Sequence, residues 1–118
     1  MKLDFSNSLE LLKASKNEHL YEKLIDQLNK DFQLANIQVD FSKEFNPKGL
    51  KTLLHEKVYY LILEKFTEYL NLLYVIDVSE KTVKKITSID AVDVSEEITF
   101  LILKREFQKV WYKSKYTS

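Results

Sequence analysis

Residues 46–76 read NPKGLKTLLHEKVYYLILEKFTEYLNLLYVI, and this stretch decides the fold class. Asn46 followed by Pro47 is a helix start. An Asn side chain accepts a bond from a first-turn amide, and Pro suits the first helical position, where its missing N–H is not needed. Behind them Leu54, Val58, Leu61, Ile62, Phe66, Tyr69, Leu73 and Ile76 recur at helical spacing and fill one side of a helix. Run without interruption, this helix would be about 45 Å long at 1.5 Å per residue. A folded chain of this length is only about 35 Å across. The stretch therefore breaks, near Asn71, or belongs to an elongated or dimeric molecule. Tyr60, Leu63 and Tyr74 fall beyond the main arc, more apolar surface than one partner helix covers.

Upstream, Leu20, Tyr21, Leu24, Ile25, Leu28, Phe32 and Ala35 form the apolar face of a helix over 18–35, with Asn17 as its N-cap. Its opposite face carries Glu22, Lys23, Asp26, Gln27, Asn29 and Lys30. Ile37, Val39 and Phe41 then alternate with polar residues. A lone strand is not stable, so this segment reads as an extended connector pinning three side chains onto the helices. Residues 1–16 read either as a short helix after Ser6 or Ser8, bearing Leu9, Leu11 and Leu12, or as an arm that packs on a neighbour.

Downstream, Asp77-Val78-Ser79 is a break, with Ser79 capping a short helix over 80–87 anchored by Val83, Ile86 and Ile89. Asp93 with Glu96 three residues later resembles a capping pair that opens a last helix reaching Ser114. That helix carries two apolar stripes, one of Val94, Ile98, Leu101, Ile102 and Tyr112, the other of Phe100, Leu103, Phe107, Val110 and Trp111. One stripe would face the monomer core and the other a second subunit. Leu72–Val78 and Ile98–Leu103 also suit buried strands, which periodicity alone does not separate from buried helix. The expected fold is an all-α single domain over 1–118, a bundle of about four helices with a short extended connector. An α+β fold is the alternative.

Composition agrees. The chain has 118 residues, one Gly and one Pro, too few for the many tight turns of an all-β domain. At 45% hydrophobic residues and zero formal net charge it lacks the signature of disorder. With no Cys it holds neither disulfides nor thiolate-bound metals. The N-terminus shows no secretory signal and the longest apolar run, Val58 to Leu63, is far too short for a membrane span. A cytoplasmic protein without membrane contact is expected. Charge is neutral overall but uneven late in the chain. Asp77–Glu97 holds six acids and three lysines, whereas Lys104–Ser118 holds five bases and one acid.

Motifs for chemistry are absent. His55-Glu56 begins like a zinc-protease HExxH, yet Tyr59 stands where the second His must be, so one helical face has no pair of ligands. Glu18/Glu22, Glu64/Glu68 and Glu96/Glu97 are paired acids, but no Glu-x-x-His accompanies them. No Gly-x-Ser-x-Gly and no Gly-rich phosphate loop occurs. His19 falls on a polar helix face and reads as solvated. No catalytic residue, metal or cofactor is assigned. His55 falls inside the apolar arc and marks a pocket if the chain is a ligand binder or enzyme. Lys104, Arg105, Lys109, Lys113 and Lys115 interleave with Phe107, Trp111, Tyr112 and Tyr116, a pattern that suits a nucleic-acid backbone and its bases. Phe107 and Trp111 also have core-packing spacing, which makes nucleic acid the lesser reading.

Leu101-Ile-Leu-Lys-Arg-Glu-Phe-Gln-Lys-Val-Trp111 resembles a stretch of small conserved bacterial proteins that have no assigned function. The resemblance spans about residues 20–114 and implies no residue role. Seven tyrosines, the wide arc of residues 54–76 and the two-sided last helix favour self-association, because Tyr buries a ring while keeping its hydroxyl wet. The leading reading is a non-enzymatic protein–protein interaction module, a homodimer or the partner of another protein. Tyr60, Tyr74, Phe100, Trp111 and Tyr112 are its expected interface.

Overall fold

A computed structural model describes residues 4–116. It contains six helices: α1 (Ser8–Asn17), α2 (Tyr21–Leu34), α3 (Pro47–Glu64), α4 (Phe66–Ile76), α5 (Glu80–Val83) and α6 (Ala91–Tyr116). No strand occurs among the described residues, and both segments with strand-like composition are helical, so the all-α class stands. The principal extents are 39 × 27 × 25 Å, the longest matching the roughly 39 Å length of the 26-residue α6. No helix is long and apolar enough to cross a membrane among the described residues.

Several boundaries follow from the caps. Asn46 accepts from Gly49 N–H at 2.7 Å and Pro47 opens α3. Ser79 caps α5, although that helix is one turn and ends at Val83 rather than near Thr87. Val83 and Ile86 pack on the core, whereas Ile89 is fully exposed and anchors nothing. α6 starts earlier than the Asp93/Glu96 pair suggested, because Asp90 accepts from Val92 N–H at 2.8 Å. At the other end of the chain, Asn7 caps α1 through Glu10 N–H (2.9 Å), and Glu10 accepts in return from Ser6 N–H (3.0 Å). Leu11 and Leu12 are fully buried, so the helical reading of this segment holds and the described part of the arm packs on its own molecule. Residues 1–3 of that arm lie outside the described residues.

Asn17 does not cap α2. It is the last residue of α1, and the chain turns through His19 in the left-handed region at φ 59. Leu20 N–H bonds the Ser15 carbonyl (2.8 Å) and His19 N–H the Lys16 carbonyl (3.0 Å), the Schellman pattern. The same closure follows α2, with Asn36 at φ 64 and Ile37 N–H on Phe32 O, and follows α4, with Asp77 at φ 70 and Val78 N–H on Leu73 O. Three positions that commonly take Gly are filled by His, Asn and Asp. Asn and Asp tolerate this conformation; His carries a larger steric cost. His19→Gly is therefore expected to stabilise the fold by about 0.5–1 kcal/mol in urea unfolding.

The long α3–α4 segment breaks at Lys65 (φ −139, ψ 59), six residues before Asn71. No Gly or Pro marks this site, and tertiary packing explains it. The break rotates α4 so that Tyr69, Leu72, Leu73 and Ile76 are buried. α4 then lies against α2, α3 and α6. Phe66, expected on the buried side, is turned outward. α6 runs through the middle of the bundle and touches α1, α2, α3 and α4. Its buried positions form one stripe, Ile98, Ile102, Leu103, Phe107 and Val110. It draws on both expected stripes, and Phe100 and Trp111 of the second are partly covered, so that stripe is largely met within the monomer.

The 37–41 connector is extended and pinned, as its alternation suggested. Ile37 and Phe41 are buried and Val39 is half-buried. The Asn29 side chain acts as a strand-like partner, donating to Phe41 O (3.0 Å) and accepting from Phe41 N–H (2.9 Å).

Candidate functional site

The His55 ring is engaged between two helices. Its Nε2 lies 2.7 Å from Ser95 Oγ and 3.2 Å from the Val92 carbonyl, tying α3 to the first turns of α6. Ser95 is fully buried and its hydroxyl donates to Val92 O at 2.8 Å, so neither its proton nor its position suits a nucleophile. Lys51 and Glu96 pair across the same junction at 3.7 Å. His19 is exposed, as expected, but in a turn rather than on a helix face. Of the paired acids, Glu68 is half-buried and the other five are exposed. No group of three or more His, Asp or Glu side chains among the described residues is placed to hold a metal ion.

The basic end of α6 is largely engaged inside the molecule. Arg105 reaches Asp77 at 3.3 Å and donates to the Asp77 carbonyl, which joins the acidic connector to the basic helix within one chain. Lys109 pairs with Asp31 at 2.8 Å, and Lys113 donates to Gln27 at 3.4 Å. Lys104 lies over Phe100 and Lys115 over Trp111. Phe107 is fully buried and cannot stack a base. Tyr112 and Tyr116 stack on each other at the outer end of α6.

The motif search over the sequence misses a buried acid pair. Asp31 and Glu106 are 3% and 0% exposed and share Lys109, whose Nζ lies 2.8 Å from Asp31 Oδ2 and 3.2 Å from Glu106 Oε1. The Gln27 amide donates to both Asp31 oxygens at 3.2 Å. Neither Glu106 oxygen has a donor in hydrogen-bonding geometry, the Lys109 approach being misaligned. Burial pushes the Glu106 carboxyl up to about 9, helped by its bond to Asp31 and that group's charge, and opposed by Lys109. Burial also favours protonation of Asp31, but bonds from Glu106, Lys109 and Gln27 and the Lys109 charge outweigh it and hold Asp31 below its ordinary value. These opposite shifts favour a neutral Glu106 beside an ionised Asp31 that Lys109 balances. It fastens α2 to α6.

An exposed apolar stripe lies on the outer side of α4. Phe66, Leu70 and Tyr74, at i, i+4 and i+8, are 55%, 50% and 87% exposed. Leu63 and Tyr60 are also exposed, on α3. Taking about 200 Å² for a whole large side chain, the three α4 residues expose on the order of 400 Å², the size of the largest patch on an ordinary monomer. Beside the ridge runs a groove of about 510 Å³. Ile62, Val83 and Val94 line it together with the α4 side chains, and Glu80 and Lys84 are its charged rim. No family model, curated protein or solved structure matches this chain.

Of the five expected interface residues only Tyr74 lines this groove. Tyr60 is exposed nearby in sequence, on α3. Phe100 and Trp111 are half-buried in α6, and Tyr112 packs on Trp111 at 5.2 Å. The sequence does not single out Leu70 and Phe66. The break at Lys65 exposes Phe66, and a break without Gly or Pro leaves no local mark.

Proposed function

We propose that this chain is a non-enzymatic protein-interaction module that docks through the outer face of α4. The supporting observation is the Phe66–Leu70–Tyr74 ridge beside an apolar groove, three exposed apolar side chains in register on one helix, next to a lining of further apolar residues. An amphipathic helix with anchors at i, i+4 and i+8 is a common recognition geometry. Leaving such a stripe in water is unfavourable by about 25 cal/mol per Å², so covering it drives association.

The test places a photoreactive amino acid at Leu70 or, as control, at exposed Glu22 on α2. The full-length protein is irradiated in the cells that produce it. A discrete protein adduct from position 70 and none from 22 is the expected result. Equal labelling from both positions, or no adduct from position 70, overturns the reading.

A further inference from the structure

We infer that the occupant of the α4 groove is a second copy of this chain, packed antiparallel about a two-fold axis near Leu70. This rests on the docking face described above and names its partner. A two-fold interface must complement itself, and this patch carries both required parts. The Phe66–Leu70–Tyr74 ridge projects from α4, and the groove walled by Val83 and Val94 runs beside it. Leu70 stands midway between Phe66 and Tyr74, so an antiparallel copy centred there sets Phe66 of one chain against Tyr74 of the other.

Charge selects the same direction. The N-terminal end of α4 is flanked by Glu64, Lys65 and Glu68, a net −1, while Asp77, Glu80, Lys81, Lys84 and Lys85 follow its C-terminal end, a net +1. Antiparallel packing brings the acidic end of each copy to the basic end of the other; parallel packing sets like ends together. Lys84 makes an exposed pair with Glu80 at 3.5 Å and is placed to reach across. With 18 basic and 18 acidic residues the chain has no net charge to oppose self-approach. The ridge exposes about 400 Å², and with the groove walls and charged rim beside it supplies much of the roughly 800 Å² per partner of a stable interface.

Light scattering on a sizing column is expected to give twice the 14.0 kDa chain mass, about 28 kDa. Leu70→Glu should return the mass to 14.0 kDa with an unchanged helical circular-dichroism spectrum. Should that variant disturb α4, Tyr74→Lys, at a more exposed position, carries the same test. The chain has no cysteine, so single introduced cysteines report direction without background. With a short bis-maleimide, Leu70→Cys should crosslink to itself. Phe66→Cys and Tyr74→Cys should crosslink when mixed and much less when alone. A wild-type mass of 14.0 kDa at concentrations up to about 1 mM overturns the inference. So does efficient self-crosslinking of Phe66→Cys, which marks a parallel pair. A monomer whose Leu70 photoadduct contains a different protein overturns the second copy and leaves the docking face standing; a monomer with no adduct overturns both.

Discussion

Replacing Lys109 by methionine is expected to lower the unfolding free energy by about 3 kcal/mol at neutral pH. Methionine keeps an apolar stem against the core but removes the ammonium 2.8 Å from Asp31. Asp31 is 3% exposed, and only the Gln27 amide and the Glu106 hydroxyl would remain to support its charge. A buried charge left without its partner costs more than the pair contributes when intact, because desolvation is no longer offset. Lys109 retains some exposure, which places the effect at the lower end of the range for fully buried pairs. The pH response should also change sign. In the wild type Asp31 sits below its ordinary value, so its contribution is present above about pH 4 and is lost on acidification. Without Lys109, burial dominates and Asp31 moves upward, so mild acid should recover stability in the variant. Urea unfolding at about pH 5 and 7 reads both effects. A loss under about 0.5 kcal/mol at neutral pH would show that Asp31 does not depend on Lys109.

Glu106→Gln should act in the opposite direction. The folded carboxyl titrates near 9, well above its ordinary 4.5. The folded chain therefore holds a proton that the unfolded chain releases. Stability from this group is complete below about pH 4.5 and falls as the pH rises toward 9. Each pH step between those two values removes at most about 1.4 kcal/mol, so the wild type should lose several kcal/mol across that window. Glutamine is neutral throughout and can donate an N–H to Asp31 as the protonated acid does. The variant should be the more stable protein by about 2 kcal/mol near pH 8, with a flattened alkaline limb. Matching slopes for variant and wild type between about pH 5 and 9 would show that Glu106 is ionised in the folded protein.

The two substitutions also separate structure from interaction. The Asp31–Glu106–Lys109 network lies inside the bundle and governs whether α2 and α6 stay joined. The α4 ridge lies outside and is not needed for the core. Substitutions in the first should move stability and leave association unchanged in the folded fraction. Substitutions at Leu70 or Tyr74 should do the reverse.

How far the sequence reaches is visible residue by residue. Asn46-Pro47 and Ser79 mark true helix starts, because a cap is a bond between residues two or three apart. The alternation of Ile37, Val39 and Phe41 marks a pinned connector, although its clamp, Asn29, belongs to what reads as a polar face. The α1–α2 boundary is not legible, because His19 takes a turn conformation in which Gly is the usual signal. Glu106 hides in a run of bases, yet it lies three residues after Leu103 and four before Val110, on the buried stripe itself. Asp31 stands in the same relation to Leu28 and Ala35. An acid inside an apolar stripe is the available signal.

What the sequence alone determined is the helical class, most of the buried apolar positions and the caps at Asn46 and Ser79, all products of contacts within a few residues. What only the tertiary structure decided is the break at Lys65, the outward turn of Phe66, and the meeting of Asp31 with Lys109 across 78 residues of chain. These depend on how helices share one core. A helix sends each side chain in a direction set by its neighbours in sequence, but whether that direction meets protein or water is set by elements far along the chain.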